Sequence, residues 1–123
     1  MVREARKAVT QALADALNIP VHTAIPERAV APFVHVGESL QFIAPDENAG
    51  FGAWLASFDC VIVVEQSASN QHMINDADAY VSQLIDTNDT TRLGIEIRGY
   101  ETTQLNSATY LVVPFTVTAP IER

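Results

Sequence analysis

The chain has 123 residues, of which 48% are hydrophobic, enough for one domain with a core and too many for a disordered chain. Fifteen acidic against seven basic side chains give a formal net charge of −8, which argues against specific nucleic acid recognition, because phosphate binding needs a basic surface. A single cysteine, Cys60, excludes an intrachain disulfide and a cysteine-rich zinc site.

No basic-then-apolar leader pattern is visible, and the apolar run Val61 to Val64 is far short of a membrane span. The expectation is therefore a soluble, acidic, single domain over residues 1–123, made in a reducing compartment and without a membrane partner. No repeat, low-complexity stretch or linker divides it.

The first element is a helix. Val2, Ala5, Val9, Ala12, Leu13, Ala16 and Leu17 recur at spacings of three and four, and Arg3, Arg6, Lys7, Gln11 and Asp15 lie mainly off that stripe. Asn18 followed by Ile19-Pro20 stops it. Val21 to Ala24 suits a short strand, and Ile25-Pro26-Glu27-Arg28 a turn or loop.

Pro32 leads into Phe33-Val34-His35-Val36-Gly37, a strand in which Val34 and Val36 share a face. Leu40 and Phe42 suggest another short strand, or the second arm of a hairpin turning near Gly37-Glu38. Pro45 to Gly52 is a polar, glycine-containing loop with Phe51 and Trp54 toward its end.

Phe58 to Glu65 reads as a central strand, with Phe58, Cys60, Ile62 and Val64 on one face. Val61 and Val63 make the other face apolar too, which predicts cover on both sides. Ser67, Ser69 and Asn70 offer caps for a second helix carrying Ile74, Ala77, Val81, Leu84 and Ile85. Asp76 and Asp78 in its early turns suit the positive end of the helix dipole. Thr87 to Thr91, including the glycosylation-like Asn88-Asp89-Thr90, is expected to be a turn.

Leu93, Ile95 and Ile97 alternate with polar residues, as do Leu111, Val113, Phe115 and Val117 with their neighbours, so the last third predicts an antiparallel pair. Pro114 cannot donate to a ladder, which places that last strand at an edge or gives it a bulge. The fold class that follows is α+β: a mixed or antiparallel sheet of four to six strands packed by two helices, in the order α-β-β-β-α-β-β.

Chemistry-bearing residues do not gather into a motif. His22, His35 and His72 lack metal-ligand spacing; His22 and His35 on separate strands would need Asp59 or Glu65 as a third ligand, and they fit better as partly exposed strand residues. Cys60 sits in an apolar strand face, where a free thiol behaves as a small hydrophobe. Gly50-Phe51-Gly52 lacks the third glycine of a dinucleotide fingerprint and precedes a strand instead of following one. The expectation is a non-enzyme with no catalytic, metal or cofactor-binding residues and no cofactor.

Interaction surfaces carry more. Arg3, Arg6 and Lys7 crowd the positive end of the first helix, and Asp15 lies toward its negative end, an arrangement costing ~0.3–1 kcal/mol per misplaced charge at low salt. Folding alone does not ask for those bases, so Arg3, Arg6 and Lys7 are candidate assembly contacts. Phe51 and Trp54 are a second candidate contact pair, because large aromatics are over-represented at interface cores.

In order along the chain stand an amphipathic first helix, Ile25-Pro26-Glu27-Arg28, Pro32-Phe33-Val34-His35-Val36-Gly37, the strand Phe58 to Glu65, a serine-rich turn and a second helix. Arg92-Leu93-Gly94-Ile95-Glu96-Ile97 and Tyr110-Leu111-Val112-Val113-Pro114-Phe115-Thr116-Val117 complete it. This succession resembles the tail-terminator (tail-completion) proteins of long-tailed bacteriophages.

The resemblance implies a structural virion protein of the tail or neck, made in the host cytoplasm. It implies a hexameric ring on the tail tube that stops polymerisation and presents the surface to which the head joins. Its partners would be other copies of itself, the tail tube protein and a head-side neck or connector protein, with DNA passing through the ring lumen without sequence recognition. A mixed sheet flanked by helices is the fold it implies, and no catalytic residues carry over. The alternatives are another neck component, such as a head-closure protein, and a small ligand-binding α+β domain.

Overall fold

Residues 2–24, 30–45, 53–67, 69–91, 93–105 and 108–121 are described in a computed structural model of the chain. Val2–Leu17 form helix α1, which buries Ala5, Val9, Leu13 and Leu17, the stripe its periodicity predicts. Asn18 ends it in the left-handed region (φ 55°), its N–H donating to the Ala14 carbonyl at 2.9 Å. Asparagine tolerates that conformation, and Pro20 prevents continuation.

Six strands follow among the described residues: β1 (Val21–His22), β2 (Phe33–Pro45), β3 (Trp54–Val63), β4 (Gly94–Ile97), β5 (Glu101–Leu105) and β6 (Ala108–Ile121). Helix α2 (Asn70–Thr90) stands between β3 and β4. The order across the sheet is β1-β2-β3-β6-β4, with β5 also paired to β6. Only β1 and β2 pair in parallel; the other pairs are antiparallel, so the sheet is mixed and the protein is α+β.

The last strand is not at an edge. Over Val112 to Ile121, β6 pairs along the length of β3, while its other side meets β4 at Phe115 to Thr118 and β5 at Ala108 to Val112. Pro114 is accommodated by this handover. Its carbonyl accepts from the Arg98 N–H at 3.0 Å, and the nitrogen of a strand residue points to the same side as its carbonyl. The missing donor therefore faces Arg98, the residue after β4, and breaks no bond to β3.

Three other expectations are corrected. No hairpin turns at Gly37-Glu38: β2 runs on to Pro45, and the irregularity appears as a register shift between Glu38 and Ile43. Residues Thr87 to Thr90 are the last helical turn of α2. There Thr87 and Thr90 hydroxyls donate to the Gln83 and Asp86 carbonyls, and Asn88 Oδ1 accepts from Ile95 N–H at 2.9 Å, tying the helix end to β4. β5 was not expected at all; its run Glu-Thr-Thr-Gln-Leu has too little apolar character to announce a strand.

Both helices cover one face of the sheet. Leu13 and Val9 from α1, and Ala77 and Leu84 from α2, pack with Val34, Phe58, Ile62, Val113 and Phe115 in one cluster. Ser69 caps α2, its side chain accepting from His72 N–H at 3.3 Å. The second face has no helical layer among the described residues. A smaller cluster forms there from Phe33, Val63 and Val112, flanked by Ala31, Val61 and Tyr110. Among the described residues, the apolar second face of β3 thus meets this local cluster.

Candidate assembly surfaces

The three bases of α1 separate into two kinds. Arg6 is directed toward the sheet, where Nη2 donates to Glu38 Oε1 on β2 at 2.9 Å. Its guanidinium carbon lies 5.7 Å from the Phe42 ring centre and 5.9 Å from that of Phe58. That geometry suits a cation over aromatic faces. Arg6 therefore has a role inside its own fold. Arg3 and Lys7 are exposed and reach no carboxylate at ion-pair distance among the described residues.

Trp54 is the first residue of β3, half-buried and paired in register with Pro45 on β2 and Ile121 on β6. It closes the ladder where the sequence suggested the exposed end of a loop. Phe51 lies outside the described residues.

His22 and His35 do meet, as register partners on β1 and β2, with His22 packed 5.7 Å from Phe33. Of the two acids named as a third ligand, Asp59 or Glu65, Asp59 is engaged elsewhere. Asp59 Oδ1 accepts from Arg98 Nη2 at 2.9 Å and from Thr116 Oγ1 at 3.2 Å, forming a polar network on the helix-free face. No group of three His, Cys, Asp or Glu among the described residues is arranged to hold a metal. Burial, and secondarily the charge of Asp59, push the Cys60 thiol up to about 12. At neutral pH it is a protonated core group, without nucleophilic character.

Two features escaped the sequence. Ile74 and Ile85 of α2, placed in its buried stripe by periodicity, are 39% and 50% exposed; Ala77, Val81 and Leu84 of that stripe do face inward, joined by Met73, Tyr80 and Thr87. The β4–β5 connection is fastened to α2 by the Tyr100 hydroxyl, which donates to the Asp78 carboxylate. Burial and that bond raise the Tyr100 phenol to about 12.

No helix among the described residues is long and apolar enough to cross a membrane. No protein-family model matches this chain, and no curated protein matches it significantly.

Proposed function

We propose that this chain is a structural virion protein that caps a bacteriophage tail tube as an oligomeric ring. In that position it ends tube polymerisation and forms the joining surface for the head. It would be made in the host cytoplasm and reside in the neck of the virion, between the tail tube protein and a head-side connector protein. The observation that carries this reading is the polarity of α1. In a chain of net charge −8, the exposed Arg3 and Lys7 stand against the positive helix end and have no ion-pair partner within the described fold.

A contact with an acidic neighbour relieves that arrangement, and a ring of identical acidic chains supplies one at every subunit. The α+β architecture, a mixed sheet packed by two helices, supports the same reading because it is the fold the family resemblance implies.

The test is removal of the gene from the virus that encodes it, followed by electron microscopy of the tails. The expected result is tubes of uncontrolled length without heads. Tubes of normal length lacking heads would instead make the chain a head-closure component, and normal complete virions would overturn both readings.

A further inference from the structure

A groove of about 610 Å³ runs between α1 and α2. On α1, Ala12 and Ala16 keep it open; on α2, Thr90 lines it; Asp15 and Asp86 are exposed along its sides. Neither carboxylate is within ion-pair distance of a cation among the described residues, and Asp15 accepts only the Gln11 amide at 2.9 Å. Apart from Ala8, the helical residues lining the groove come from the C-terminal halves of both helices, and neither helix has a basic residue in its last turn. Two negative dipole ends therefore add to two carboxylates.

The opposite end of α1 shows the complementary defect. Arg3 and Lys7 lie one turn apart on one side of the helix, at the positive dipole end. They cannot reach the groove of their own chain: twelve residues of helix separate Arg3 from Asp15, roughly 18 Å.

We infer that the α1–α2 groove is the docking site for the basic start of α1 from a second copy of this chain, making a head-to-tail contact. One contact then relieves both misplacements, the bases at the helix start and the acids at the paired helix ends. Because the two patches differ, a pair joined this way keeps one free patch of each kind, and the contact propagates to the next subunit until rotation closes it. This inference rests on the ring reading and assigns the surfaces that make the ring.

The experiment is sedimentation velocity of the purified full-length chain over a concentration series, with circular dichroism to verify that each variant is folded. Two variants carry opposite reversals: Arg3→Glu with Lys7→Glu, and Asp15→Lys with Asp86→Lys. The expected result is that the unaltered chain assembles beyond a dimer and that each variant associates at least tenfold more weakly. That loss corresponds to about 1.4 kcal/mol. The chain carrying all four substitutions regains assembly, because its end and groove are again opposite in sign.

Assembly of the unaltered chain that neither reversal weakens, or that the fourfold variant fails to regain, would overturn the groove contact and leave the ring reading standing. An unaltered chain that stays monomeric throughout would overturn both.

Discussion

Arg6 on α1 and Glu38 on β2, 32 residues apart in sequence, form a 2.9 Å ion pair that fastens the first helix across the sheet. The pair is partly solvated, with side-chain exposures of 35% and 58%, so its Coulomb energy is screened. Position over Phe42 and Phe58 adds a cation–aromatic contribution. Arg6→Ala is expected to lower stability by about 1 kcal/mol in urea denaturation. Arg3→Ala and Lys7→Ala should leave the midpoint unchanged or slightly raised, since they relieve charge repulsion at the helix start. Equal losses from all three would mean that the bases of α1 act alike.

Cys60 should behave as a core residue. With its thiol at about 12, on the order of one molecule in ten thousand carries a thiolate at pH 8. Native protein is expected to resist a disulfide reagent such as Ellman's at that pH, with labelling appearing only as the chain unfolds. Cys60→Ala should cost ~1–2 kcal/mol through the space it leaves beneath the helices.

The Tyr100–Asp78 contact predicts a pH dependence on the alkaline side. The folded phenol titrates at about 12 against an ordinary value of 10.0, so the neutral form is favoured by folding. Its contribution is fully present below pH 10, and it is lost as pH rises from there toward 12. Tyr100 is 41% exposed, so the amplitude is small. The difference in melting temperature between the unaltered chain and Tyr100→Phe should be constant up to pH 9 and shrink above it. A difference that grows with pH would contradict the contact.

Proline at position 114 should be nearly free of cost. Pro114→Ala restores an N–H on the Arg98 side of β6, away from β3 and one position past the end of β4, so stability should change by less than about 1 kcal/mol. Val113→Pro is the contrast. Its nitrogen faces β3, and losing that bond inside the sheet should cost at least about 2 kcal/mol. Chemical denaturation of both variants decides the point.

The elements written in strong apolar periods were legible before the structure: α1 from its three-four spacing, and the alternations that became β3, β4 and β6. What escaped depended on polar chemistry or on distant partners. β5 is built from Glu101, Thr102, Thr103 and Gln104, all exposed, and exists because β6 offers it an open edge. The last turn of α2 looked like a turn because threonines favour turns; here their hydroxyls bond back to the preceding helical carbonyls. Pro114 signalled an edge strand, whereas its missing donor falls between two short partners.

The candidate surfaces divide along the same line. That α1 is charged against its dipole was readable from the order of residues alone. That Arg6 leaves the group to bind Glu38, and that Asp15 and Asp86 flank one groove, depends on contacts across the fold.

The central claim, that this chain stops a growing tail tube, is tested most directly by adding the purified protein to polymerising tail tube protein and measuring tube lengths by electron microscopy. The account predicts that elongation ceases and that a ring of added density sits on one end of each tube. Tubes that continue to lengthen, with no density at either end, would contradict it.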